Sequence, residues 1–174
     1  MQTCLIFNPS AKGQKAAAFR SRLGALCPEC VVRLTRKAGD ARQLASQAVL
    51  EGFTTLIAAG GDGTANEVVN GLTDVPQGLA STRLGIFPLG TINVFARELG
   101  LPRDLAGAAR TIKAGRELAI DLGQADFTAD GHAQRRHFLQ LAGAGLDARA
   151  VELVSWELKK KTGPVAYAVA ALKA

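Results

Sequence analysis

Over the first two thirds of the chain, short and nearly uninterrupted apolar runs alternate with longer stretches whose apolar side chains recur every three or four positions. The runs at Thr3–Phe7 and at residues 30–34, 53–59 and 84–87 predict strands, the second of them buried and rich in Val. The periodic stretches predict helices. One covers Gln14–Leu26, with Ala16, Phe19, Leu23 and Leu26 on one face; the next covers residues 40–51, with Leu44, Ala45, Ala48 and Val49 aligned. Three more are predicted over residues 64–72, 93–99 and 105–114. Asp40 stands where it can cap the second helix, and Thr64 with Glu67 three residues later forms a capping-box pattern for the third. Residues 73–82 are rich in turn formers. Strands alternating with helices in this way predict an α/β fold of βαβ units on a parallel sheet.

The pattern changes near residue 117. Residues 118–122 and 137–141 predict two strands about a polar turn at Asp130-Gly131, a dipeptide suited to a hairpin. Residues 147–160 predict a helix, broken at Gly163-Pro164 before a last apolar helical stretch. The expected organisation is an α/β domain over 1–118 and the opening of a β-rich second domain over 119–174, cut short inside an apolar helical pattern. The early run Cys4-Leu5-Ile6-Phe7 lacks a basic flank and is too short for a secretion signal. No run approaches the roughly 20 apolar residues of a membrane span. A cytoplasmic location without a transmembrane segment is therefore expected.

Composition narrows the function. Hydrophobic residues make up 48% of the chain and charged residues 21%, as in folded globular domains. A net charge of +6 favours anionic partners. One Trp and one Tyr supply no row of stacking rings, so no nucleic-acid partner is expected. Cys27-Pro28-Glu29-Cys30 has the spacing of a redox pair or half a zinc site, but no second ligand pair follows, and His132 and His137 are distant. A loop ahead of the second strand is the expectation there.

The chemistry concentrates in bends that follow strands. Gly60-Gly61-Asp62-Gly63-Thr64 joins the third strand to a helix start, where glycines allow close backbone approach and the unpaired amides favour phosphate. A carboxylate in such a bend repels phosphate unless Mg²⁺ bridges the two, so Asp62 is a candidate Mg²⁺ ligand; the alternative is a plain turn in which Asp62 is a local turn former. Pro88-Leu89-Gly90-Thr91-Ile92-Asn93 repeats the geometry after the fourth strand, and residues 8–13 follow the first. Three such bends at the carboxyl edge of one sheet would enclose a ligand crevice.

Together these stretches resemble the diacylglycerol kinase catalytic-domain family, which includes bacterial diacylglycerol kinases and sphingosine kinases. The resemblance rests on Asn8-Pro9-Ser10, on the unbroken motif from Gly60 to Leu72 (GGDGTANEVVNGL) and on Pro88 to Arg97, and continues at Gly143 to Ala148. It implies a nucleotide-binding domain of the NAD kinase/diacylglycerol kinase type and phosphoryl transfer from Mg-ATP to a lipid hydroxyl such as that of diacylglycerol. By the same resemblance Asn8, Pro9, Ser10 and Lys12, with Gly60, Gly61, Asp62, Gly63, Thr64 and Asn66, wrap the ATP phosphates. Thr35, Gly90, Thr91 and Asn93 contact the nucleotide. Asp62 organises Mg²⁺ or serves as base, and Asp121 supports the ion through water.

Two departures stand out. Many members carry Asp where this chain has Val94, and no Asp-Gly-Glu motif, the proposed general base of bacterial members, occurs in the 174 residues. The main base is thus expected beyond residue 174. The implied partner is a lipid at a membrane surface, met peripherally, with Lys159-Lys160-Lys161 beside Trp156 as a candidate contact. Unfinished β structure also offers edges through which a homodimer could form. An NAD kinase-like enzyme and a non-catalytic ATP-binding module are the alternatives.

Overall fold

The computed structural model describes residues 2–11, 14–145 and 148–149. Lys12, the 159–161 lysines, Trp156 and nearly all of the helix expected at 147–160 lie outside them. In chain order the elements are β1 (Thr3–Phe7), α1 (Gln14–Leu26), β2 (Val31–Leu34), α2 (Asp40–Leu50), β3 (Thr55–Gly60) and α3 (Asp62–Thr73). There follow α4 (Gly78–Ser81), β4 (Arg83–Pro88), α5 (Val94–Glu98), α6 (Leu105–Ala114), β5 (Gly123–Ala129) and β6 (His132–Phe138). Two compact units result, Met1–Gln140 and Leu141–Ala174.

The first four strands form a parallel sheet in the order β2-β1-β3-β4, the α/β architecture the alternation predicts. Strands β1 and β3 bury side chains on both faces at period two. Cys4, Ile6, Leu56 and Ala58 face one layer, with Ala41, Ala45 and Ala48 of α2 and Ala65, Val68 and Leu72 of α3. Leu5, Phe7, Ile57 and Ala59 face the other, with Phe19 of α1 and Ala108 of α6. Phe19 fills that second layer by packing against Phe7 and Phe87, with ring centroids 5.2 and 4.8 Å away. The burial of Cys4 pushes its thiol pKa up.

The strand order positions the site. From β1 the chain steps to β2 on one side, then crosses back to β3 on the other. Helices α1 and α3 consequently leave neighbouring strands toward opposite faces, the strand order at which open α/β sheets bind ligands beyond their carboxyl edge.

Several local expectations are revised. Strand β2 is not buried: it is the sheet edge, with Val31 49% and Leu34 51% exposed. Helix α2 is entered through Gly39 in the left-handed region, and the Asp40 carboxylate turns back to accept from the Arg36 and Lys37 amides. Those bonds, that from Arg36 foremost, hold the Asp40 carboxyl below its ordinary range. Helix α3 begins at Asp62 rather than Thr64, and Glu67 does not close a capping box. Its carboxylate instead accepts from Gly39 and Ala41, capping α2 from a neighbouring helix. The turn-rich segment 73–82 contains the single-turn α4. The strands expected at 118–122 and 137–141 lie instead at Gly123–Ala129 and His132–Phe138. Asp130 (φ 51°) and Gly131 (φ 75°) are both left-handed, a two-residue turn that pairs the residues immediately beside it. Cys27 and Cys30 form a disulfide instead of a plain loop.

Helices α2 and α3 meet closely because small residues line the contact. A Cβ on Gly71 would collide with the Arg42 carbonyl oxygen and lie 2.6 Å from Cβ of Ala45, whereas one on Gly24 would meet nothing. Gly71→Ala should therefore lower the unfolding free energy by about 1–3 kcal/mol. Gly24→Ala, in mid-helix, should raise it by roughly 0.5–1 kcal/mol. Urea denaturation of both variants checks the contrast, and equal effects would contradict the packing described.

Candidate functional site

Three bends leave the sheet at its carboxyl edge, and hydrogen bonds tie them together. Asn8, just after β1, is anchored by its amide to Ala59 O at 2.9 Å. Its Oδ1 accepts from Ser10 N at 2.9 Å, folding the first bend, while its Nδ2 donates to Thr64 Oγ1 at 3.2 Å. Thr64 is buried, so this bond locks the first bend to the opening turn of α3.

The second and third bends touch backbone to backbone. Gly60 pairs with Pro88 in the sheet, and Leu89 N donates to Gly60 O at 2.8 Å. A Cβ on Gly90 would stand 2.6 Å from Gly61 Cα, and one on Gly61 would stand 3.3 Å from Gly90 Cα. No other residue type fits this approach without moving main chain.

Asp62 completes the junction. Its Oδ2 accepts from Val94 N at 3.0 Å and its Oδ1 from Phe95 N at 3.1 Å. These are the first amides of α5, whose own flanking residue, Asn93, provides no side-chain cap. Asn93 sits in the left-handed region (φ 52°) and turns its Nδ2 back to Pro88 O and Gly90 O at 3.2 and 2.8 Å. Its Oδ1 is buried without a partner. Asp62 thus caps a helix 32 residues away and carries its negative charge toward that helix's positive end.

The structure brings Asn8, Gly60, Gly61, Asp62, Thr64, Gly90 and Asn93 into one connected edge. Pro9, Ser10, Gly63 and Thr91 lie exposed on the same bends, and Asn66 is half-buried one turn into α3. Thr35 is buried at the end of β2, its amide donating to Phe7 O at 3.0 Å. Asp121 is exposed in the segment before β5, and among the described residues no hydrogen bond joins it to Asp62. Nor is any cluster of three or more His, Cys, Asp or Glu side chains placed there to hold a metal.

Sequence reasoning missed two participants. Arg20 borders a hollow of about 400 Å³ formed with Phe7, Pro9, Ser10 and Ala16, beside the first bend. Its signal was its place one helical turn beyond Ala16. Glu67 organises the loop that follows Thr35, a role its spacing from Thr64 concealed.

Because Asp62 caps α5 without any ligand, its removal should weaken the free protein. Asp62→Ala should cost about 1–2 kcal/mol of unfolding free energy in the absence of nucleotide, and Asp62→Asn less, since one oxygen still accepts. Denaturation of nucleotide-free variants measures this; unchanged stability would remove Asp62 from the structural role.

Comparison with known proteins shows the family. The sequence profile of the diacylglycerol kinase catalytic domain matches residues 2–125. Diacylglycerol kinases of Staphylococcus aureus are similar, at 34% identity for strain bovine RF122 / ET3-1 and 38% for strain JH9. Each match covers 94% of this chain and 50% of the relative. The crystal structure of a diacylglycerol kinase from Bacillus anthracis superposes with a TM-score of 0.59 at 30% identity, over 79% of this chain and 48% of that one. The chain spans about half the length of the relatives it matches. All three bends fall within the matched span, and the chain belongs to the diacylglycerol kinase catalytic-domain family.

Proposed function

We propose that this chain is the nucleotide-binding part of an ATP-dependent lipid kinase, transferring the γ-phosphoryl group to a lipid hydroxyl such as that of diacylglycerol. The observation that carries this reading is the Gly61–Gly90 approach, which leaves room for main chain alone where two helix starts meet. Phosphoryl transfer depends on positioning and on donors aimed at the phosphate oxygens, and amides fixed beforehand supply both. The amides at the start of α3, together with the first bend from Asn8 to Lys12, are assigned to the phosphates. Thr35, Gly90, Thr91 and Asn93 are assigned to the rest of the nucleotide.

The donor set suits Mg²⁺ carried on ATP rather than a resident ion. A carboxylate has about four acceptor positions, and the Val94 and Phe95 amides take two of Asp62's. Mg²⁺ is commonly held by one or two carboxylates plus phosphate and water, so Asp62 retains the capacity to hold it, with Asp121 acting through water. Bound there, the ion would neutralise charge on the transferring group. The base that takes the lipid proton is assigned outside these 174 residues, since Asp62 is committed to α5.

The lipid would be met at a membrane surface from the cytoplasmic side; no helix among the described residues is long and apolar enough to cross a membrane. Val31, Val32 and Leu34 expose apolar side chains on the open edge of β2, which supports homodimer formation through that strand. Analytical ultracentrifugation at micromolar concentration decides this point, and a purely monomeric boundary would remove it.

Calorimetry should show Mg-ATP binding to this chain. Gly90→Val should weaken it at least about tenfold, because the added side chain parts the two bends. Labelled ATP offered with diacylglycerol or with NAD to a longer polypeptide containing these residues separates the readings. Transfer to NAD would overturn the lipid assignment, binding without transfer to either acceptor would favour a regulatory module, and no ATP binding at all would overturn the proposal.

A further inference from the structure

The hairpin formed by β5 and β6 is a two-stranded sheet, a form rarely stable by itself. In an antiparallel ladder that starts from the two-residue turn at Asp130-Gly131, the N–H groups of Ala133, Arg135 and His137 point away from β5. Among the described residues, those of Ala133 and Arg135 meet no acceptor. His137 does not: its N–H donates to Asn70 Oδ1 at 3.0 Å, and its carbonyl accepts from Asn70 Nδ2 at 2.8 Å. This is the bond pair a third strand would make, supplied by one carboxamide.

The remainder of Asn70 suits that role. The residue is 3% exposed, and its Nδ2 also donates to Asn66 O at 2.9 Å, which fixes the amide's orientation along α3. Next to it, Gly71 brings α3 against α2. Beyond the paired His137, Leu139 packs against apolar clusters contributed by β3 and α3 and by α5. Among the described residues, no other hydrogen bond joins residues 123–140 to the α/β layers. Asn70 lies eight residues after Asp62 on the same helix, about 12 Å along its axis.

We infer that Asn70 is a positioning residue: its carboxamide acts as a substitute strand that fastens the hairpin to α3, at a fixed distance from the Gly60–Thr64 bend. In the lipid-kinase reading, on which this functional consequence rests, that joint fixes where the hairpin itself stands relative to the phosphates. The attachment itself requires no nucleotide.

Amide hydrogen exchange of the nucleotide-free chain tests it. In the unaltered protein the His137 amide should be at least about tenfold more protected than those of Ala133 and Arg135, although all three point the same way. Equal exchange at the three positions would overturn the inference without any variant. Asn70→Ala should bring His137 to the level of its neighbours while β1 and β3 stay protected.

Asn70→Asp is nearly isosteric but presents a carboxylate to the carbonyls of His137 and Asn66. Its carboxylate still accepts from the His137 N–H but repels the two carbonyls that Asn70 Nδ2 serves. His137 protection should therefore fall at pH 7 and recover near pH 4, where a protonated oxygen can donate again. Asp62 and Glu67 on α3, Asp74 at its end, Asp40 and Arg42 on α2, Arg83 on β4, and His132, Arg135, Arg136 and His137 on β6 are present in both proteins; β3 and α4 carry no charged residue. The unaltered protein's protection factors at the same pH values therefore subtract their effect. A pH-independent Asp variant would sink the idea. Calorimetry separates it from the nucleotide reading: Mg-ATP affinity of Asn70→Ala should stay within about twofold of the parent. A loss alongside hairpin release would make Asn70 a general structural residue, whereas a parent that binds no ATP but protects His137 would remove only the nucleotide reading.

Discussion

Two bare stretches of main chain, at Gly61 and at Gly90, lie in contact, and the organisation of the edge follows from that approach. Their strands are neighbours in register through Gly60 and Pro88, so the bends leave the sheet side by side. Once they are that close, the Asp62 carboxylate can reach the amides that open α5. Its contribution to stability is modest beside the burial of two apolar layers. Its effect on order is larger, because the backbone at 90–95 is fixed before any ligand arrives. A ligand that binds a preformed cradle avoids the entropic cost of building it.

The same contact explains how an acidic side chain survives in a bend suited to phosphate. Two amides draw on the carboxylate, and the positive ends of α3 and α5 flank it, so its charge is partly offset by fixed dipoles. Repulsion toward an incoming phosphate is correspondingly reduced even before a cation is considered. Val94 takes part only through its backbone N–H, which any residue but proline would provide. The departure from the family at that position therefore leaves this junction intact.

What the sequence revealed depended on how local the governing interaction was. The parallel sheet was legible because β1 and β3 are buried on both faces and their apolar runs are continuous. Edge strand β2 was placed correctly along the chain but assigned the wrong surroundings, since strand order cannot be read from a run of Val. Glu67 shows the limit most clearly: its spacing from Thr64 fitted a capping box, yet its partners, Gly39 and Ala41, come from another helix. The hairpin turn was legible in Asp130-Gly131, but its strands were misplaced because their Gln, Asp, Thr and Arg side chains face solvent and leave no apolar trace. The three bends were legible as a set. That Asp62 binds main chain 32 residues away was not, because local spacing does not encode a tertiary cap.

Helix α3 sends polar side chains to three different clients: Asp62 to α5, Glu67 to the entrance of α2, and Asn70 to β6. Each contact depends on the helix presenting that residue at one particular angle. Adding or deleting a single residue between Thr64 and Asn70 would rotate everything downstream by about 100° and shift it by about 1.5 Å relative to Asp62. Substitutions along this helix can be absorbed one client at a time, but a change of length would misalign several attachments together, so its residue count is as constrained as its chemistry.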